Sequence, residues 1–245
     1  VFYILSLIFS ILGRALSFIE NSLVFSITTQ IVLVSAVVMM LSSLINCLMR
    51  LWSRFIKNLY KDESYLTHTL PVKKKTIFAS KVMSALICIF TTIVVILVCL
   101  FICFYSETNI QIIKDILELT ASTYNITVLK LLLLIAVVLY FEIIFTVLIG
   151  YVGIIIGYKF NKNKMVKTII ISFLLYILTQ ALTLVIIYFT GVFNPDIMNL
   201  INTKEIINVD VIKYIMYGGV GIYFVYIIFY YILGKKQFEK GINID

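Results

Sequence analysis

The sequence predicts an all-α membrane protein, a polytopic bundle of six membrane-crossing helices, and three observations carry that prediction. First, 62% of the residues are hydrophobic and only 13% are charged, with a mean hydropathy of +1.10; a soluble domain is roughly half apolar and a quarter charged. Second, the apolar residues fall in runs of about 20 or more, which bilayer thickness explains and a globular core does not. Third, these runs lack the polar and apolar alternation of a barrel strand, so each must satisfy its backbone within its own segment, as a helix.

The first run, VFYILSLIFSILG, is too short to cross a bilayer comfortably and is expected to be the tail of a span whose beginning lies upstream. It has neither the basic leader nor the small-residue cleavage pattern of a signal peptide. Five full spans follow at Leu23 to Met49, Val82 to Tyr105, Leu129 to Gly157, Thr168 to Phe193 and Val211 to Gly234. Each is long enough at about 1.5 Å per residue to cross roughly 30 Å of hydrocarbon. Cys47, Cys88, Cys99 and Cys103 all lie within apolar runs, with no CxxC spacing, and read as small hydrophobes.

Lysine and arginine set the expected orientation. Residues 50 to 81 hold eight, residues 158 to 167 hold four and the tail after Gly234 holds three, together 15 of the 20, while the opposite loops hold seven of the 12 acids. The positive-inside rule then places both ends of the chain in the cytoplasm. The net charge of +8 is accordingly a topology signal and a reason to expect contact with anionic lipid, not with nucleic acid.

Two outer connections are expected to hold short external helices. In NIQIIKDILEL, Ile112, Ile113, Ile116 and Leu117 share one helical face, suited to the membrane surface or to the protein. In the loop 194–210, Asn194 precedes Pro195 and Asp196 in the order of a helix start.

The segment 50–81 is the most polar part of the chain and reads as a cytoplasmic elbow. Leu51, Trp52, Phe55, Ile56, Leu59 and Tyr60 make one apolar face, opposite Arg50, Arg54, Lys57 and Lys61, an amphipathic helix continuing from the membrane. Asp62 and Glu63 suit the first turn of a second short helix, on which Tyr65, Leu66, Thr69 and Leu70 share a face. Pro71 ends it by disfavouring helical geometry at Leu70, and three lysines lead into the next span. Physics alone leaves two uses for this elbow: an interfacial loop with snorkelling lysines, or a docking element for a second protein.

The residues Phe55, Lys57, Asn58, Leu59, Asp62, Glu63, Tyr65, Leu66, Thr67, Thr69, Leu70, Pro71, Ser80 and Lys81 resemble the cytoplasmic signature of type-2 ABC exporter permeases, the membrane subunits of bacterial ATP-driven exporters. That signature commonly reads NLxxDExYLTxTLP followed by Ser-Lys. The tail KKQFEKGINID is similar to the way such permeases end, and six spans with both ends inside agree along essentially the whole chain. His68 stands where an apolar or aromatic residue is expected, and Ser64 where glycine is common. The resemblance implies that Asp62, Glu63, Tyr65, Leu66, Thr69, Leu70 and Pro71 belong to a coupling helix docking on a separate cytoplasmic ABC ATPase subunit, which binds ATP and magnesium. It further implies a second permease copy or a paralogue as partner, in the bacterial cytoplasmic membrane. No GxxxxGK[ST] phosphate loop occurs in this chain, so it is expected to bind no cofactor and hydrolysis is expected from the partner.

Within the spans, Glu142 is the only acid at mid-depth, a functional candidate because burying a charge is costly. Gln180 lies at similar depth in the next span, and the two are candidates for a hydrogen bond and for the translocation path. Gly153, Gly157 and Gly218 are expected to serve close helix packing, the first two at GxxxG spacing. Thr28, Thr29, Gln30, Thr91 and Thr92 are expected either to line a pathway or to bond back to their own helices. His68 is the only histidine, and neither HExxH nor GxSxG occurs, so no metal-binding or catalytic residue is assigned. Two functions are carried forward: an ATP-driven exporter subunit moving an amphipathic or hydrophobic substrate such as a peptide, lipid or drug, and a proton-coupled secondary transporter using Glu142.

Overall fold

A computed structural model describes residues 1–18, 23–61, 63–69, 71–194, 197–198 and 209–240, with the backbone alone at residues 68 and 209–212. Among the described residues there are eight helices and no strand: α1 (Phe2–Ser17), α2 (Leu23–Tyr60), α3 (Ser64–Thr69), α4 (Lys74–Phe104), α5 (Glu107–Thr123), α6 (Val128–Gly157), α7 (Lys164–Phe193) and α8 (Val209–Glu239). Five of these, α2, α4, α6, α7 and α8, are long and apolar enough to cross a membrane, the architecture of a multi-pass helical membrane protein. The apolar α1 has 16 residues, short of the ~20 that span a bilayer.

Helices α2 and α4 are longer than the spans read from hydropathy. The amphipathic run to Tyr60 is a direct continuation of α2, and α4 starts at Lys74 rather than Val82. Lys74, Lys75 and Lys81 therefore sit in the opening turns of a helix, their stems compatible with helical backbone even though their charges lower the local hydropathy. The connection between α2 and α4 is reduced to residues 61–73, with α3 at its centre.

The chain packs as two units. The first takes in residues 1–53 and 84–116. Here Ser6, Ser10 and Gly13 form the buried stripe of α1, small residues that let helix backbones approach. Tyr3 and Thr92 hydroxyls lie 2.6 Å apart, and Ala36, Met40, Cys99 and Cys103 make the buried core. All four cysteines are free.

The second unit takes in residues 54–83 and 117–245, and α6 is its hub. From Ile144 to Tyr158 nearly every α6 side chain is buried, as befits a helix that is apolar all round. Gly153 and Gly157 set its approach to α7: a Cβ at Gly157 would lie 2.7 Å from Thr168 Cα, and one at Gly153 would collide with Ser172. Gly218 has a different setting. A Cβ there would meet nothing within 4 Å, and the same holds at Gly219 and Gly221, so none of them packs against another described helix.

Helix α5 carries the amphipathic stretch of the second outer connection. Ile112, Ile113 and Ile116 are exposed and Leu117 is half-buried, so most of the apolar face is not covered by the described residues. Of the 194–210 loop, Asn194, Ile197, Met198 and the backbone of 209–210, already in α8, are described, and the amides of Ile197 and Met198 both donate to Asn194 O at 3.1 and 3.2 Å. Pro195 and Asp196 lie outside the described residues.

Candidate functional site

Two places in the second unit hold the residues singled out by the sequence: the elbow and an intramembrane cavity beside α6.

The elbow stands on an aromatic base. The apolar face of the last α2 turns is buried, with Phe55 at 1% and Leu59 at 0% exposure. Phe55 stacks on Tyr151 of α6 at a centroid distance of 4.1 Å and meets Phe78 of α4 edge-on at 6.3 Å. Phe78 in turn packs on Tyr231 and Phe238 of α8, where Gly234 leaves room for its ring. Offset and edge-on aromatic contacts add to the stability of simple apolar burial. Both arms of the elbow, the end of α2 and the start of α4, are thus clamped to α6 and α8 by side chains from four helices.

On this base α3 presents its apolar side chains outward. Tyr65 is 75% and Leu66 68% exposed, whereas Ser64 is 5% exposed, so Ser64 is the residue by which α3 seats on the protein. A small side chain suffices at such an approach. The backbone of the turn is tied by Ser64 N donating to Lys61 O at 2.7 Å and Thr67 N to Glu63 O at 3.1 Å, and the Thr67 and Thr69 hydroxyls cap carbonyls of Glu63 and Leu66 at 3.0 Å. Lys81 lies within electrostatic reach of Glu63 and Arg54. Glu63, Thr69 and Pro71 are exposed; Asp62 and Leu70, and the side chain of His68, lie outside the described residues.

The cavity, of about 210 Å³, lies between α7 and α8, with Phe145 of α6 among its walls. Gly218 and Gly219 line it, so the missing side chains that fail to pack a helix instead hold a space open. Two pairs of hydroxyls bind α7 to α8 at its edge: Thr179 to Tyr230 at 2.7 Å and Thr183 to Tyr226 at 3.0 Å. Phe145 meets the rings of Tyr223, Tyr226 and Tyr230 at 5.7 to 5.8 Å. Gln180 lines the cavity with Tyr223, giving a mostly apolar space with a few polar groups, the usual composition of a ligand pocket.

Glu142 and Gln180 are not joined. Gln180 faces the cavity, while Glu142 is exposed on the surface of α6 and reaches the neighbourhood of Tyr223 only electrostatically. Equal depth places two residues at one level of the membrane, but their facing is set by rotation about each helix axis. The threonines of the early spans bond back: Thr28 to Val24 O, Thr29 to Phe25 O, and Thr91 and Thr92 to Cys88 O, at 2.7 to 2.9 Å. The aromatic base and the threonine–tyrosine pairs were not foreseen. For the pairs a signal existed, since Thr179 and Thr183 share the four-residue spacing of Tyr226 and Tyr230 and so lie on single helical faces.

No group of three or more metal-ligating side chains occurs among the described residues. No family model, curated protein or solved structure matches the chain.

Proposed function

We propose that this chain is the membrane-spanning subunit of an ATP-driven exporter of the type-2 ABC permease kind, in which α3 docks on a separate ATPase subunit. The observation that carries the reading is the elbow: a short helix whose Tyr65 and Leu66 are exposed while the turns beneath it are fixed by Phe55 and Phe78. An exposed pair of large apolar side chains on an otherwise polar, lysine-rich connection is suited to a protein partner, and the rigid base is suited to passing a push from that partner into α6 and α8. On this reading six helices cross the bacterial cytoplasmic membrane with both ends of the chain inside, ATP and magnesium belong to the partner, and the cargo is amphipathic or hydrophobic. Glu142 supports a second permease copy or a paralogue: a mid-span carboxyl on the outer surface of α6 costs several kcal/mol against lipid, and a neighbouring subunit relieves that cost.

The test is copurification of an ABC ATPase subunit with this chain from its native membrane. Leu66→Asp is expected to leave helicity and expression unchanged and to lower copurification of the ATPase at least tenfold, with loss of substrate-stimulated hydrolysis. Undiminished recovery and coupling would sink the assignment of α3.

A second reading, proton-coupled secondary transport through Glu142, draws on the exposure of that carboxyl beside Tyr223. Uptake or efflux in ATP-free vesicles under a pH gradient, abolished by Glu142→Gln, is its signature; the exporter reading forbids such transport.

A further inference from the structure

A second cavity, of about 490 Å³, is formed by the last residues of α2, the α6–α7 connection and the first turn of α7, and neither reading above uses it. We infer that it binds a phosphate ester anion, of the kind carried by the headgroup of an anionic membrane lipid.

Three independent features point to that chemistry. The volume falls within the ~300–1,000 Å³ of small-ligand pockets, and the charged side chains in its walls are both cationic, Lys61 and Lys164. The cavity also receives the start of a 30-residue helix, since Met165 and Val166 of its first turn line it. Asn163, held in left-handed geometry at φ 56°, makes no side-chain capping bond there. First-turn amides have no partner within their own helix and favour an anion.

The third feature is Tyr60, which lines the cavity and is only 7% exposed. Its hydroxyl has no hydrogen-bond partner. The ring is held against Tyr158 at a centroid distance of 4.6 Å, and the Tyr158 hydroxyl is turned to Met165 Sδ at 3.8 Å rather than to Tyr60. A buried hydroxyl without a partner is a cost that phenylalanine avoids, and bulk water is screened from it. The hydroxyl is closed to solvent, so a turn of the Tyr60 side chain toward the cavity is what brings it to a phosphate oxygen, which then supplies the missing acceptor in a bond strengthened by the ligand's charge. Interfacial lysines alone are an ordinary feature of membrane proteins; the orphan hydroxyl and the uncapped helix in the same wall are what make this a site.

The experiment uses the whole chain in nanodiscs of phosphatidylcholine with or without phosphatidylglycerol, reading retained lipid by native mass spectrometry and thermal unfolding by circular dichroism. Phosphatidylglycerol is expected to be retained over phosphatidylcholine and to raise the unfolding midpoint. Tyr60→Phe, and separately Lys61→Gln with Lys164→Gln, are expected to lower that retention about tenfold. Lys73→Gln with Lys75→Gln, outside the cavity, should change it less than twofold. Without phosphatidylglycerol, Tyr60→Phe is expected to unfold no earlier than the parent, which separates lost binding from lost folding. A stabilisation by inorganic phosphate that Tyr60→Phe abolishes would identify a soluble phosphate compound as the occupant of the same site. The inference is overturned if Tyr60→Phe leaves the response to both probes unchanged, or if the control lysines matter as much as the lining ones. Neither readout involves an ATPase or transport, so this result stands apart from the exporter reading.

Discussion

Replacing Gly157 by alanine tests the packing of the second unit most directly, because one methyl group is added where the neighbour is backbone. The new Cβ would sit 2.7 Å from both Thr168 N and Thr168 Cα, about 0.7 Å inside the ordinary contact limit of 3.4 Å. No rotamer of Thr168 relieves this, so the start of α7 must move away from α6. Overpacking of this kind costs about 1–3 kcal/mol, and the gain from replacing a helical glycine by alanine returns about 0.5–1 kcal/mol. The net expectation is a loss of about 1–2 kcal/mol. Gly218→Ala is the internal control: its Cβ meets nothing within 4 Å, so only the favourable backbone contribution remains and the variant should be as stable as the parent or slightly more so. Thermal unfolding followed at 222 nm in one detergent reports both. The thiols are poor reporters here, because all four cysteines belong to the first unit. Equal stability of the two variants would refute the assignment of Gly157 as a contact and of Gly218 as a cavity wall.

Phe55→Ala removes the ring that joins α2 to α6 and α4, at 1% exposure; a loss of about 3–5 kcal/mol is expected, and, on the exporter reading, weaker ATPase recovery even though α3 itself is untouched. The Thr179–Tyr230 bond of 2.7 Å is expected to show a coupling of about 0.6 kcal/mol, the average for hydrogen bonds between membrane helices, in a double-mutant cycle of Thr179→Val with Tyr230→Phe; zero coupling would mean that the pair only shares space.

Hydropathy and charge made the helices legible, and the reason is that lipid imposes a one-dimensional rule: a segment either is long and apolar enough or it is not. The rule breaks down at the ends. It placed the start of the third span at Val82 because lysines and Ser80 depress the local average, whereas helical backbone continues back to Lys74, where lysine is a good helix former. Depth was likewise readable and direction was not. Glu142 and Gln180 are level in the membrane, yet one is exposed and the other lines a cavity, since a helix turns about 100° per residue and small changes in crossing decide what its sides meet. The setting of Gly218 was hidden for the same reason: a glycine in a span fits a close contact and a cavity wall equally well until the neighbouring helix is placed.

The elbow's apolar face was readable because an amphipathic run advertises one buried side, but the identity of what buries it was not. Phe55 finds Tyr151, and Phe78 finds Tyr231 and Phe238, partners far away in sequence. This arrangement has a mechanical consequence. The residues that anchor α3 from both sides meet each other and reach one helix each, Phe55 before it packing on α6 and Phe78 after it on α8, and α8 together with α7 encloses the cavity that holds Gln180. On the exporter reading, a displacement of α3 is not absorbed within a loose loop but delivered through close-packed rings, which deform little, to helices that border the cavity. Softening one anchor while leaving Tyr65 and Leu66 in place, as in Phe55→Leu, should on the exporter reading preserve ATPase binding but lower the transport achieved per ATP hydrolysed. A permease in which that ratio is unchanged would have to couple by a route that bypasses the aromatic base.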